Sequence, residues 1–148
     1  PISVAGRIGF GFTTSYCASK FGIEGFTESL RGEMLTRNVR VALIEAGIVH
    51  TNFFDNIRRT KQSYNSNYAK DTQAMENMIN IIKNKTNWTS PNTIAKKIVE
   101  EIIPENGEKF RYIIGTDAKY LIDAIYSCRD DKKCMDDVIN NIMGQYLS

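Results

Sequence analysis

The chain has 148 residues, 42% hydrophobic and 24% charged, a makeup that fits one modest domain with a real core. A net charge of +2 gives no argument for a nucleic-acid partner, and the densest basic run, Arg58-Arg59-Thr60-Lys61, reads as a solvated loop. No apolar run reaches the ~18 residues of a membrane span, and Cys17, Cys128 and Cys134 lack the spacing of a zinc site, so no metal is expected.

The odd cysteine count argues against a disulfide scaffold and fits a reducing, cytoplasmic setting. Asn87-Trp88-Thr89 matches a glycosylation sequon, a triplet that chance often produces. Residues 1–15 have no charged start followed by an apolar stretch, so they do not read as a signal peptide. The first residue is Pro1 rather than methionine, and the expectation is a processed or partial chain.

Residues 1–4 read as the end of a strand. Gly6, Gly9 and Gly11 follow in a loop that should need close backbone approach. A helix is predicted from Ser15. Tyr16, Lys20, Thr27 and Arg31 form its more polar side, and Ile23, Phe26, Leu30 and Met34 recur at the spacing of a buried stripe. Ile23, Phe26 and Leu30 could face either the core or a partner. Gly22 and Gly25 cost helix propensity and suggest tight packing. The helix should stop near Arg37-Asn38.

The run VRVALIEAG at 39–47 is apolar on both faces, as in a parallel strand covered by helices. Its end places residues 47–52 at the carboxyl edge of a sheet, where open α/β folds bind ligands. Residues 52–88 make a long connection, with Phe53-Phe54 at its start and a helix over 69–84 through Ala74, Met78, Ile81 and Ile82. It reads either as a substrate-binding lid or as a helical subdomain that covers the sheet.

Thr89-Ser90-Pro91 starts the next helix with a hydroxyl cap and a first-turn proline. Ile94, Ile98 and Ile102, with Ala95 and Val99, form its apolar stripe, and Pro104 and Gly107 end it. A short strand follows at 109–115, in which Phe110, Tyr112 and Ile114 alternate with Arg111 and Ile113. Two more helices are predicted at 117–127 and 135–147, separated by Ser127-Cys128-Arg129-Asp130-Asp131 and two lysines. Helices that alternate with buried strands give an α/β class, although two full strands are few for a sheet.

Tyr16 and Lys20 are four apart and share one helix face, so their side chains can converge on one ligand. An ammonium beside a phenol favours the phenolate, and Ser3 could donate a hydrogen bond to a carbonyl oxygen. The same residues could also be an ordinary helical pair and a turn cap.

Ser3, the thirteen residues on to Tyr16-Cys17-Ala18-Ser19-Lys20-Phe21, the helix through Glu24-Gly25-Phe26-Thr27-Glu28-Ser29-Leu30-Arg31 and the run VRVALIEAGIVHT together resemble the second half of a short-chain dehydrogenase/reductase. The likeness is close over residues 1–51 and looser over SPNTIAKKIVEEI and KFRYIIGTDA.

The resemblance implies a three-layer Rossmann-like fold with a parallel sheet, of which this chain is the C-terminal part. It also implies an NAD- or NADP-dependent oxidoreductase that interconverts a secondary alcohol and a carbonyl compound. Tyr16 would be the general acid/base, Lys20 would bind the nicotinamide ribose and assist Tyr16, and Ser3 would orient the substrate oxygen. Gly47, Ile48 and Thr51 would meet the cofactor, Ile48 through its backbone. Ala46 stands where the family usually has proline, a departure that loosens the turn without removing a donor. Phe53 and Phe54, with Tyr64 or Tyr68, suggest a partly apolar pocket compatible with a steroid or retinoid-like substrate.

The glycine fingerprint that would bind the pyrophosphate has no counterpart in the expected place, and the family's asparagine cannot be assigned. The chain alone is therefore expected to lack a complete dinucleotide site and independent stability. A homodimer or homotetramer is implied, built on the helix that carries Tyr16. An inactive relative that serves binding or assembly is the alternative.

Overall fold

The computed structural model describes residues 2–58, 60–84, 88–105, 109–128 and 130–147. Pro1, Arg59, Asn87, Gly107 and Arg129, each named above, lie outside the described residues.

Three short strands form a parallel sheet in the order β1-β2-β3: Ile2–Ser3, Leu43–Ala46 and Arg111–Ile114. The register pairs Ser3 with Ala46, and Ala46 with Ile114. Side chains alternate across a strand, so Leu43, Glu45, Arg111 and Ile113 share one face while Ile44, Ala46, Tyr112 and Ile114 share the other.

Each face has its own cover. On the first, Val4, Ile8, Ala118 and Ile122 form a buried cluster against which Ile113 packs. On the second, Ile102, Tyr112 and Ile114 pack with Ile44, Ile94 and Ile98. The result is the expected α/β arrangement, with a parallel sheet between two layers of helix, and the third strand comes from the predicted fragment at the start.

The connections follow the predicted order. A 3-10 turn at Val4–Gly6 leads to α1, Thr14–Met34, which tightens into a further 3-10 turn at Leu35–Arg37. Asn38 then takes the left-handed conformation, with φ of 53°, and ends the helix where it was expected to stop. After β2 come a 3-10 turn at Phe54–Asn56, α2 at Lys61–Tyr64 and α3 at Ala69–Asn84. Helix α4, Pro91–Lys97, is capped by Ser90, whose Oγ accepts the Thr93 N–H at 3.0 Å. It continues as a π-helical turn at Ile98–Ile102. After β3 come α5, Thr116–Cys128, and α6, Lys132–Leu147, and α6 packs on both α3 and α5.

Several expectations change. On α1 only Cys17 and Glu24 are buried, whereas Ile23 and Phe26 are exposed and Leu30 and Met34 are half-covered. The sheet-facing side of this helix is held by ion pairs instead of by an apolar stripe. Side chains built at Gly9, Gly11, Gly22 and Gly25 would meet no neighbour within 4 Å, so tight packing does not explain these glycines.

The buried face of α3 is Thr72, Met75, Ile79 and Ile82 in place of the Ala74–Met78–Ile81 set, because its partners α2 and α6 lie on that side. Val99 and Ala95 of the α4 stripe are exposed. The strand predicted at 39–47 is four residues long, and Val39 is exposed.

Cys128 and Cys134 form a disulfide, with Cα atoms 5.3 Å apart, and Cys17 is the free, buried thiol. The turn between α5 and α6 brings the two cysteines together. The odd count reflects one pair plus Cys17, and it no longer argues for a reducing setting.

Candidate active site

β1 ends at Ser3 and β2 at Ala46, its register partner, so Ser3 and the turn from Gly47 leave the sheet side by side at its carboxyl edge. Ser3 Oγ accepts the Ala5 N–H at 3.3 Å and caps the first 3-10 turn. The hydroxyl proton is not used in that bond, so the cap is compatible with a second role as donor.

Tyr16 and Lys20 sit in the first two turns of α1, both half-buried. The start of this helix is anchored by Cys17, whose Sγ lies 3.2 Å from Thr13 Oγ1 and 3.8 Å from the Ile8 carbonyl. Lys20 Nζ lies 5.4 Å from the Tyr16 ring centroid, within the range of a cation–π contact. Phe53 meets the same ring at 5.8 Å, and Phe54 packs edge-on to Phe53 at 5.3 Å. Phenol, ammonium and two aromatic rings are thus brought together from two separate segments.

The turn after β2 is tied down at several points. Gly47 N–H donates to the Ile114 carbonyl at 3.0 Å, and Ile48 N–H donates to Asp117 Oδ2 at 2.7 Å. A Cβ at Gly47 would lie 2.2 Å from Asp117 Oδ1, so the carboxylate fills the space that glycine leaves. His50 N–H donates to the Thr89 carbonyl at 3.0 Å. Thr51 is exposed, and its Oγ1 accepts the Phe53 N–H at 3.3 Å.

A cavity of about 120 Å³ opens beside this turn, lined in part by Ile48, His50, Thr51, Phe54, Ile82 and Trp88. Phe54 therefore lines the cavity and Phe53 the tyrosine. Tyr64 instead hydrogen-bonds Glu76, and Tyr68 is exposed.

Behind Tyr16 and Lys20 lies an ionic cluster that sequence reasoning did not single out. Glu24 continues their four-residue spacing and is buried, and Glu45 of β2 is fully buried. Arg111 of β3 joins them. Its Nη2 is 2.9 Å and its Nε 3.1 Å from Glu24 Oε2, and its Nε is 3.3 Å from Glu45 Oε1. Arg111 also pairs with Glu28, and Arg7 Nη1 pairs with Glu45 Oε1 at 2.7 Å.

Burial pushes the Glu45 carboxyl above the usual carboxylate range, against the pull of Arg7. The hydrogen bond from Arg111, with its charge, holds Glu28 below that range. The one available signal was a glutamate inside an otherwise apolar strand, which calls for a buried cation. Asp117 was missed for a different reason: only the sheet brings it beside Gly47.

The short chain dehydrogenase family matches residues 2–62, the stretch that carries Ser3, Tyr16, Lys20 and the turn to Thr51. The chain belongs to the short-chain dehydrogenase/reductase family. It is 31% identical over 127 residues to human 17-beta-hydroxysteroid dehydrogenase type 6, covering 80% of this chain and 40% of that protein. It is 32% identical over 124 residues to the probable short-chain type dehydrogenase/reductase VdlC of Helicobacter pylori, covering 84% of this chain and 44% of that protein. Human 17-beta-hydroxysteroid dehydrogenase type 1 matches at 47% over 55 residues, 37% of this chain and 17% of that protein. The chain thus spans less than half the length of these curated short-chain dehydrogenase relatives. No helix among the described residues is long and apolar enough to cross a membrane.

Proposed function

We propose that this chain supplies the proton-transfer part of an NAD- or NADP-dependent oxidoreductase that interconverts a secondary alcohol and a carbonyl compound. The observation that carries the reading is the pairing of the Tyr16 phenol with the Lys20 ammonium at the carboxyl edge of the sheet.

The donor set fits the nicotinamide-ribose end of such a cofactor. Lys20 offers ammonium protons to hydroxyls, and Thr51 an exposed hydroxyl. A bound nicotinamide would accept the hydride in oxidation and return it in reduction.

In alcohol oxidation, the Tyr16 oxygen takes the hydroxyl proton as the carbon is oxidised, and in ketone reduction it gives the proton back. The Lys20 charge stabilises the anion that forms at Tyr16. Ser3 Oγ–H donates to the substrate oxygen and steadies its developing charge. Phe53 and Phe54 face the substrate with apolar surface, which favours a steroid or retinoid-like alcohol. The names of the hydroxysteroid dehydrogenase relatives support the same class.

The segment from Phe54–Asn56 through α3 serves as the substrate lid, since it contributes Phe54 and Ile82 to the cavity beside the turn. Self-association through the outer face of α1, where Ile23 and Phe26 are exposed, gives a homodimer or homotetramer. The cytoplasm remains a compatible location only if the Cys128–Cys134 bond forms there.

Replacing Tyr16 by Phe in the full-length protein tests the reading. Nicotinamide absorbance, followed over a panel of secondary alcohols and ketones, should show turnover in the wild-type protein and a loss of at least ~100-fold in the variant. Equal turnover in both, or none in the wild type with either cofactor, would refute it.

A further inference from the structure

We propose that Glu24, Arg111 and Glu45 form an ionic clasp that sets the rotation of α1 and so holds Tyr16 and Lys20 in place; all three are positioning residues. The proposal rests on the proton-transfer reading of Tyr16 and Lys20.

Tyr16, Lys20, Glu24 and Glu28 follow one another at four-residue steps, so they run along a single side of α1. Glu24 lies one turn beyond Lys20 and two beyond Tyr16, or about 6 Å and 12 Å along the axis. The helix transmits any rotation at Glu24 directly to both.

Apolar packing does little to fix that rotation. Cys17 is the one apolar side chain of α1 that is buried, and Ile23 and Phe26 point to solvent. What grips the helix from the sheet is Arg111. Its Nε and Nη2 both reach Glu24 Oε2, and its Nη2 also reaches Glu28. A planar guanidinium held on several N–H groups resists rotation in a way a methyl contact does not.

The arginine is itself held. Its Nε lies 3.3 Å from Glu45 Oε1, which also accepts the 2.7 Å bond from Arg7. β2 therefore anchors β3, and β3 anchors the helix.

Two buried carboxylate oxygens complete the arrangement. Glu24 Oε1 and Glu45 Oε2 have no hydrogen-bond partner among the described residues, although both carboxyls converge on the same Arg111 Nε.

The size of the effect follows from the lever. Turning a helix by ~20° moves a group ~6 Å from its axis by about 2 Å, and a misplacement of that order costs ~100-fold in a proton-transfer geometry. None of the three residues lines the cavity beside the turn.

The test uses Arg111→Met and, should that variant fold poorly, the near-isosteric Glu24→Gln. Hydrogen exchange at the α1 amides should speed up ~10-fold or more, with α5 unchanged. In parallel, kcat should fall 10- to 100-fold with KM within ~3-fold. Arg111→Lys should recover part of both effects.

Unchanged α1 exchange, or exchange that rises equally in α1 and α5, would overturn the clasp. So would an unchanged kcat in a variant whose α1 exchange rises. If Tyr16→Phe proves as active as the wild type, the proton-transfer reading fails, and the exchange result still decides whether the clasp exists.

Discussion

Glu28 and Glu45 share Arg111 and are pushed in opposite directions, so they set opposite limits on the stability of the site. Glu28 is held below its ordinary value of 4.5 by the hydrogen bond and charge of Arg111. Its contribution is present above that value and is lost as pH falls through the lowered one. Glu45 is raised above 4.5 by burial. Its contribution is present below 4.5 and is lost as pH rises through the raised value. The cluster is therefore best satisfied between the two shifted values, a window that straddles 4.5. Glu45→Gln should imitate the protonated carboxyl. Its thermal midpoint should match the wild type in acid and exceed it increasingly as pH rises above the ordinary carboxylate range. A constant gap at every pH would show that Glu45 titrates alike in the folded and unfolded chain and is not raised by burial. At this scale Tyr16 and Lys20 were legible because they are neighbours on one helix. Glu24 and Arg111 are 87 positions apart, a distance at which no local pattern gives warning.

Among the elements, boundaries with chemical markers read well and facings did not. Ser90 and Pro91 announced α4, and Asn38 the end of α1. The buried side of a helix depends on where its partner lies, and α3 turned Met75 and Ile79 inward because α6 packs there. The π-helical turn at Ile98–Ile102 had no sequence signal, yet it keeps Ile98 and Ile102 on Tyr112 and Ile114. The link between α5 and α6 was equally silent, since a count of three cysteines does not name a pair. Its closed loop is short, so the chain-entropy gain is about 2 kcal/mol, or ~4–8 °C in a domain of this size. Reduction with a dithiol should lower the melting temperature by that amount. Cys128→Ser should show the lower value from the start and no response to the dithiol. A wild-type midpoint that ignores the dithiol would mean that the bond adds nothing to the packing of α6.

For the whole molecule, the outer face of α1 and the shortness of the sheet belong to one problem. A three-stranded parallel sheet with strands of two to four residues is small for the helices it carries. Ile23 and Phe26 stand on one side of α1 and are exposed, Phe26 at 68%. An apolar row of that length on a 21-residue helix costs solubility unless another surface covers it. The ionic clasp lies on the sheet side of the same helix, so covering the outer face need not disturb Glu24 or Arg111. The two sides can therefore be separated by mutation. Phe26→Glu should shift the sedimentation of the protein towards monomer, because a charge in the centre of an apolar contact carries a desolvation cost of several kcal/mol. The α1 amides should keep their wild-type exchange at the Glu24 turn, since no partner of the clasp has changed. Unaltered association with Phe26→Glu would place the contact elsewhere on the molecule, whereas a monomer whose α1 exchange also rises would show that the outer face, as well as Arg111, fixes the helix on which Tyr16 and Lys20 sit.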